Sequence, residues 1–394
     1  MCWTLPNAVL YALEKLNNSG YEAYVVGGCV RDFLMDKAPQ DWDVTTSATP
    51  AQMREVFAGD RTIETGIKHG TLTVLVEDLP MEITTFRVDG AYSDGRHPDA
   101  VSFTTSLTED LKRRDFTINA MAYHPVVGII DPFGGREDLH NAVIRCVGDP
   151  STRFSEDALR ILRALRFSAV LGFAIDTNTA AALRALSSTL PRVSIERITT
   201  EFTKLLCGNE STAVLQEYRT VISEFFPEIA HCNCIQPPLT RPVIHARLAA
   251  LFCSAGVGAQ KAESALRRLR MDSNTIRKVV QLLSVDFPDA AMEKSHNLRL
   301  LNRLGPELIF DYYSIHQADV SIIQHTRNLL TSNACYSVAM LAIHGDDVIA
   351  AGVTPGPAVG ATLQCLLDAV IDGYCPNQSE DLLRYIDKIT ESMQ

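Results

Sequence analysis

The segment YVVGGCVRDFLMDKAPQDWDVTTS, residues 24–47, determines the fold class that we predict for the chain. It begins with a short apolar run typical of a buried strand, passes through a glycine pair into a helical pattern, and ends in a second strand. A glycine pair at the start of a helix lets a phosphate approach backbone N–H groups at the positive end of the helix dipole. The segment therefore predicts a phosphate-binding turn that includes Gly28.

The second strand of this segment contains two acidic residues, Asp41 and Asp43. Because side chains alternate along a strand, the two carboxylates are expected on one face. Two carboxylates without a basic residue between them form a hard oxygen site suited to Mg²⁺. Alone, such a pair is more often solvated surface charge. Because this acidic pair closely follows a phosphate-binding turn in the sequence, the two features together predict triphosphate chemistry in which metal ions take part.

Several further motifs occur in a fixed order along the chain. They are GGCVRD at 27–32, DWD at 41–43, EITTFR at 82–87, RRDFTINAMA at 113–122 and EDALRILRALRF at 156–167. In this order they resemble the class II tRNA nucleotidyltransferases, or CCA-adding enzymes, and their bacterial poly(A) polymerase relatives. The resemblance is dense over residues 20–210 and thinner beyond them.

The resemblance implies a catalytic set of three carboxylates. These are Asp41 and Asp43, which would bind Mg²⁺, and Glu82 on a strand predicted over residues 81–86. For Glu82 the alternative is an ordinary glutamate at a strand edge.

For nucleotide binding, the resemblance implies Gly28 and Arg31, which would hold the triphosphate, together with the Arg-Arg motif. We predict that this motif lies on a helix running from residue 107 to residue 122. The sequence leaves open whether Arg113 or Arg114 contacts the nucleotide.

A second group of basic residues follows Ser155, which is predicted to cap a helix with Asp157 in its first turn. On that helix Arg160, Arg163 and Arg166 would wind over one broad face. The alternative is an ordinary helix with intrahelical ion pairs. The resemblance implies that this helix selects and binds the nucleotide, with Asp157 and Arg160 reading the base.

The order of patterns predicts an α+β fold, in which a mixed β-sheet head with helices precedes an all-helical region. Strand patterns give way to helical patterns at about residue 153. We predict a helix over 194–207 and another over 258–284. The predicted domains are a catalytic head at 1–150, a neck for nucleobase selection at 151–210, a helical body at 211–330 and a tRNA-binding tail at 331–394.

The bulk composition limits the environment and the partners of the chain. Its 394 residues are 46% hydrophobic, yet no apolar run reaches the length of about 18 residues needed to span a bilayer. Scattered cysteines indicate reduced thiols, so we expect a cytoplasmic protein with no membrane partner. The net charge of −11 argues against a general nucleic-acid binder but leaves room for a local basic surface.

The resulting functional prediction is addition of CCA to the 3′ end of tRNA from CTP and ATP, without a template and with release of pyrophosphate. The polar residues 87–100 are predicted to form a mobile loop, and the resemblance implies that this loop helps to switch the site to ATP. The alternatives are a poly(A) polymerase, an enzyme that adds only CC or only A, and a catalytically inactive RNA-binding relative. The intact carboxylates argue against the last of these.

Overall fold

The computed structural model describes residues 3–90, 101–232, 234–235, 242–286 and 294–392. The chain divides into two compact units, residues 1–230 and residues 231–394. The first unit combines sheet and helices, and the described part of the second unit is helical, as the predicted α+β fold requires. The finer division into head, neck, body and tail stays a prediction.

The strands among the described residues of the first unit form one large sheet and two small ones. They are β1 (Ala23–Val26), β2 (Trp42–Thr46), β3 (Arg61–Ile63), β4 (Thr71–Val76), β5 (Leu79–Thr85), β6 (Arg87–Asp89), β7 (Val101–Phe103), β8 (Ala122–His124), β9 (Gly128–Ile130), β10 (Val143–Ile144) and β11 (Ala174–Ile175). The large sheet has seven strands in the order β3-β4-β5-β2-β1-β8-β9. Within it, β2 and β5 are parallel and the other neighbours are antiparallel.

One face of this sheet packs on an apolar core. Val44 on β2 and Ile83 on β5 are buried there with Leu72 on β4. Burying each such side chain stabilises the fold by about 1.5–3 kcal/mol. Since side chains alternate, Asp43 and Glu82 lie on the opposite face, where chemistry is possible.

The helices of the first unit connect and follow these strands. They are α1 (Asn7–Asn18), α2 (Gly28–Leu34), α3 (Pro50–Val56), α4 (Leu107–Lys112), α5 (Gly135–His140), α6 (Pro150–Glu156), α7 (Leu159–Leu171), α8 (Thr177–Leu186), α9 (Ile195–Leu206), α10 (Ser211–Glu217) and α11 (Arg219–Ile222). Helix α9 confirms the helix predicted over 194–207.

The predicted helix over 107–122 was wrong beyond Lys112, where α4 ends. The backbone that follows pairs with a distant segment instead of continuing the helix. Thr117 N donates to Arg145 O at 2.9 Å, and Val147 N donates to Asp115 O at 3.1 Å. The Asp115 carboxylate also accepts from the next backbone N–H, which competes with helical hydrogen bonding.

The predicted helix start at Ser155 was also wrong. Helix α6 begins five residues earlier, at Pro150, and Asp149 caps it by accepting from Thr152 N at 2.7 Å. An aspartate before a proline is a start signal that the sequence contained. Asp157 then adopts an extended conformation and ends α6, so α7 begins separately at Leu159.

The predicted loop over 87–100 begins as a strand. Residues Arg87–Asp89 form β6, which pairs antiparallel with β7. The rest of the predicted loop, residues 91–100, lies outside the described residues.

The described helices of the second unit are α12 (Ile244–Ser254), α13 (Ala259–Arg268), α14 (Ser273–Leu283), α15 (Lys294–Ile315), α16 (Val320–Thr331), α17 (Gly345–Ala350), α18 (Pro357–Ile371) and α19 (Ser379–Ser392). The single helix predicted over 258–284 is two helices, because Arg270 adopts a positive φ of 52° and Asp272 caps α14. Across the described ranges, no helix has both the length and the apolar character needed to cross a membrane.

Candidate active site

A cavity of about 970 Å³ in the first unit collects the predicted site residues. Its walls come from the β1–α2 turn, the start of β2, the segment after α4, and helices α7 and α9. All of the predicted site residues except Glu82 line it: Gly28, Arg31, Asp41, Asp43, Arg113, Arg114, Asp157, Arg160, Arg163 and Arg166. Residues distant in sequence thus share one concave surface.

The glycine turn places bare backbone beside a guanidinium group. Gly27 has a φ of 80°, which L-residues with side chains rarely adopt, and Gly28 opens α2. A Cβ atom on Gly27 would lie 3.0 Å from Arg114 Nη1 and 3.9 Å from Asp43 Oδ2. The absence of a side chain at Gly27 therefore lets Arg114 approach the turn.

The three predicted catalytic carboxylates lie on neighbouring parts of the sheet. Asp41 precedes β2 and is exposed, whereas Asp43 lies within β2 and is half-buried. Glu82 is the direct neighbour of Asp43 across the parallel β2–β5 pair. Burial raises the pKa of Asp43; Arg114 opposes this shift, and the carboxylates of Glu82 and Asp41 add to it. A cation at this site would relieve the repulsion between these groups.

The carboxylates of Asp41 and Asp43 fit a hard divalent cation that takes its remaining ligands from water and the substrate. Among the described residues, no group of three or more His, Cys, Asp or Glu side chains is arranged to hold a metal ion by itself. Mg²⁺ in phosphate-transfer sites commonly takes one or two carboxylates and completes its shell with water and substrate phosphate. Asp41 and Asp43 match that requirement.

The Arg-Arg motif is anchored by a buried carboxylate that our sequence analysis missed. Asp110 has no exposed surface and lies 2.8 Å from Arg113 Nη2 and 3.4 Å from Arg114 Nη2. Burial alone would raise the pKa of Asp110, but the two guanidinium groups hold it below its usual value. The spacing of three residues between Asp110 and Arg113 on a helix was a signal for this pair.

Arg31 lies where the glycine turn meets α7. Its Nη1 donates to Asn119 Oδ1 at 2.8 Å, and its Nε donates to Asp32 Oδ1 at 2.9 Å. Its guanidinium is also 5.2 Å from the ring centre of Phe167, a ring that Arg163 and Arg166 approach to 5.5 and 4.0 Å. The quadrupole of this aromatic ring favours all three cations.

Asp157 lies between α6 and α7 with both carboxylate oxygens anchored. Oδ1 accepts from Leu159 N at 3.0 Å, and Oδ2 accepts from Arg197 Nη2 at 2.7 Å. Arg197 comes from α9 and also lines the cavity. Each carboxylate oxygen can accept more than one hydrogen bond, so the anchored group can still accept from a ligand.

Arg160 is 8% exposed and is held mainly by α6 and by the Arg-Arg segment. Its Nη1 lies 2.5 Å from Glu156 Oε2, and its Nη2 donates to Arg113 O at 3.1 Å. These contacts link α7 to the segment after α4, a connection that local sequence patterns do not encode.

Arg163 and Arg166 are paired with buried acids. Arg163 Nε donates to Asp115 Oδ2 at 2.7 Å, and Arg166 Nε forms an ion pair with Glu201 Oε2 at 2.9 Å. Burial alone would raise the pKa of Asp115, but Arg163 lowers it below its ordinary value. Asp115 and Glu201 lie far from their partners in sequence, so spacing gave no signal for either pair.

The charge on the cavity wall favours a polyanion. Of the residues that the structure describes, eight with basic side chains and five with acidic side chains line it. This local excess lies in a chain whose net charge is −11. The cavity therefore suits a nucleoside triphosphate or an RNA end better than a neutral ligand.

Family models match most of the chain. Residues 23–145 match the poly(A) polymerase head domain, and residues 172–232 match a model described as the probable RNA and SrmB-binding site of polymerase A. Residues 244–386 match tRNA nucleotidyltransferase domain 2.

Individual relatives are similar over nearly their whole lengths. The CCA-adding enzyme of Enterococcus faecalis is 36% identical, over 98% of this chain and 97% of that protein. The CCA-adding enzyme of Limosilactobacillus fermentum is 35% identical, over 94% of each chain. Among solved structures, the Bacillus stearothermophilus CCA-adding enzyme in complex with CTP is 30% identical, with a TM-score of 0.79 and 99% coverage of both chains.

Proposed function

The chain belongs to the CCA-adding tRNA nucleotidyltransferases, and we propose that the cavity of its first unit is where the nucleotides are added. The activity of the chain is addition of CCA to the 3′ end of tRNA from CTP and ATP, without a nucleic-acid template. The observation that supports the location is the convergence of the glycine turn, the acidic pair and the arginines of α7 on one cavity.

In the proposed reaction, the 3′ hydroxyl of the RNA releases its proton to solvent, and its oxygen bonds to the α-phosphorus of the nucleotide. The bond between the α- and β-phosphates breaks, and pyrophosphate leaves. Asp41 and Asp43 would hold Mg²⁺, and Glu82 would assist at the hydroxyl. When bound, the metal lowers the pKa of the attacking hydroxyl and neutralises charge on the phosphates.

The triphosphate would lie against the glycine turn and the surrounding arginines. Gly28 offers its backbone N–H at the start of α2, and Arg31 lies beside it. Of the two residues of the Arg-Arg motif, Arg114 is the one that approaches Gly27 and Asp43. We therefore assign phosphate contact to Arg114, and to Arg113 a supporting contact through its backbone carbonyl to Arg160.

The base would be read by Asp157 and Arg160. Cytosine and adenine each present an exocyclic amine beside a ring nitrogen that accepts. An aspartate accepts from the amine, and an arginine donates to the ring nitrogen. Uracil and guanine present the opposite order, so one pair can select both required nucleotides. Arg163 and Arg166 would contribute positive charge along the nucleotide.

We expect a tRNA transcript that lacks its 3′ CCA to gain CC from labelled CTP alone and CCA from CTP and ATP together. A transcript that already ends in CCA serves as the control and should not be extended. A long A tract from ATP alone would indicate a poly(A) polymerase. Products that stop at CC would indicate an enzyme that adds only CC, and addition only to RNA ending in CC would indicate an enzyme that adds only A. RNA binding without extension would indicate an inactive relative.

We propose that the loop predicted over residues 87–100 governs the final addition of A, and the experiment replaces residues 91–100 of it. Because β6 and β7 pair as far as Asp89 and Val101, a short Gly-Ser connection can replace these ten residues without opening the strands. Addition of CC should be preserved and addition of A should fall by about tenfold or more, since a loop that helps to switch the site to ATP would act at the last step only. An equal-length Gly-Ser replacement separates the effect of composition from that of length. If addition of CC and addition of A fell equally, the segment would serve only to connect β6 and β7.

We also propose a cytoplasmic location, which suits an enzyme of tRNA processing. The tail at 331–394 would bind tRNA, and the match of residues 244–386 to a tRNA nucleotidyltransferase domain supports that assignment.

A further inference from the structure

Helices α7 and α9 run side by side in the same direction along the cavity. At their starts, Arg197 on α9 contacts Asp157, which directly precedes α7. Near their ends, the backbone of Gly208 after α9 packs on Ala169, since a Cβ atom on Gly208 would lie 2.5 Å from Ala169 O. The lining residues at this end are Val170, Leu171, Lys204, Cys207, Gly208 and Asn209.

One face of α9 carries a charged residue at three successive levels of the helix, and the first and last of them line the cavity. Arg197, Glu201 and Lys204 have the spacing i, i+4, i+7 that places side chains on one helix face. The first two have protein partners: Arg197 holds Asp157, and Glu201 pairs with Arg166. Lys204 is exposed, lines the cavity and, within the described ranges, makes no hydrogen bond or ion pair through its side chain.

Lys204 therefore differs from the arginines that line the same cavity, each of which contacts a protein carboxylate. Its ammonium group is a compact point charge, which suits phosphate oxygens. The rise of α9 places Lys204 about 10 Å from the level of Arg197 and hence from the base-reading Asp157. In a nucleotide whose base lies at Asp157, the phosphates extend away from the base.

We propose that Lys204 binds a phosphate group at the end of the cavity opposite Asp157, with the terminal phosphates of the nucleotide and the departing pyrophosphate as its ligand. This inference rests on the proposed function of the cavity. A backbone phosphate of the RNA 3′ end has the same chemistry and is the second source that the experiment distinguishes.

The test compares Lys204→Ala and Lys204→Arg with the unmodified full-length chain. We expect Lys204→Ala to raise the KM for CTP and for ATP, and the inhibition constant of added pyrophosphate, by about five- to tenfold. Preference for CTP over UTP should not change, because the base lies at the other end. Lys204→Arg should stay within about twofold of the unmodified enzyme because it keeps the charge. Lys37→Ala is the control, since Lys37 is an exposed lysine of the same unit outside the cavity wall.

The two sources of phosphate give different results. Contact with RNA would instead raise the KM for tRNA and reduce the slope of log affinity against log salt by about 0.7, the value for one single-strand phosphate. A helix-end lysine that only complements the α9 dipole would change the melting temperature and none of these constants. That outcome would overturn the proposal. The proposed function is tested separately by the identity of the added nucleotides, which Lys204 variants should not alter.

Discussion

Replacing Asp43 by asparagine is expected to abolish nucleotide addition without lowering the melting temperature. Asp43 lies beside Glu82 across β2 and β5, and it is one of two carboxylates proposed to hold Mg²⁺. Asparagine keeps the shape but removes the charge that a hard cation needs. We expect turnover to fall by at least about a thousandfold, which corresponds to about 4 kcal/mol of barrier. Asp41→Asn should have a comparable effect on turnover.

The stability effect follows from the direction of the pKa shift. Because the pKa of Asp43 is raised in the folded protein, the folded state binds its proton more readily than the unfolded state does. The ionised group therefore costs folding free energy above its unfolded pKa, a range that includes neutral pH. Asparagine removes this cost, so the melting temperature at pH 7 should be unchanged or higher.

Turnover, thermal melting and tRNA binding should be measured together for Asp43→Asn. Asp36→Asn is a suitable control, because Asp36 is exposed, lies outside the cavity and has a positive φ that asparagine tolerates. If Asp43→Asn kept more than about a tenth of the turnover, the activation barrier would have risen by less than about 1.4 kcal/mol. That result would rule out Asp43 as a ligand of the metal ion.

Replacing Asp157 by asparagine should lower the preference for CTP over UTP by about ten- to a hundredfold. The aspartate carboxylate can only accept a hydrogen bond, so it is mismatched with the carbonyl of uracil. The amide group of asparagine can donate a hydrogen bond to that carbonyl. A mismatched buried polar group costs about 1–3 kcal/mol, which gives the stated range. The measurement is kcat/KM for all four triphosphates on RNA that lacks CCA.

The contact of Arg197 with Asp157 allows a sharper form of this experiment. Arg197→Gln should also weaken the preference for CTP, because it frees the carboxylate that Arg197 orients from α9. If Arg197 acts through Asp157, its effect should disappear in the Asp157→Asn background. Arg184→Gln is the matched control, since Arg184 makes an exposed pair with Glu217 outside the cavity. Unchanged base preference in Asp157→Asn would show that base selection lies elsewhere.

An exchange of charge between Asp157 and Arg160 would be less informative. The Arg160 guanidinium is surrounded by Glu156 and by the carbonyl oxygens of Arg113 and Arg153. A carboxylate at that position would face these acceptors, so misfolding would obscure any change in base preference.

The parts of the site that the sequence predicted are those set by short-range geometry. Gly28, Asp41 and Asp43 follow from a strand, a turn and a second strand within one short segment. Sheet order depends on distant pairing, so the register that places Glu82 beside Asp43 could not be read from spacing. The predicted start of α6 was wrong because Ser155 also has a side chain that can cap a helix, whereas the residue that caps α6 is Asp149, directly before Pro150.

The partners of the arginines were unpredictable for a similar reason. Asp110 is three residues from Arg113, and helical spacing could have revealed that pair. By contrast, Arg163 and Asp115 are 48 residues apart, and Arg197 and Asp157 are 40 residues apart. Such contacts depend on how α7 packs against α9 and against the segment after α4, which no local pattern encodes.

The anchoring of the arginines on the cavity wall affects the entropy of nucleotide binding. A free arginine side chain carries about 2 kcal/mol of rotamer entropy that a ligand contact would remove. Here Asp110, Asp115, Glu156 and Glu201 have already immobilised most of these side chains during folding. The incoming triphosphate consequently meets a wall that is already ordered, so more of its interaction energy remains as affinity.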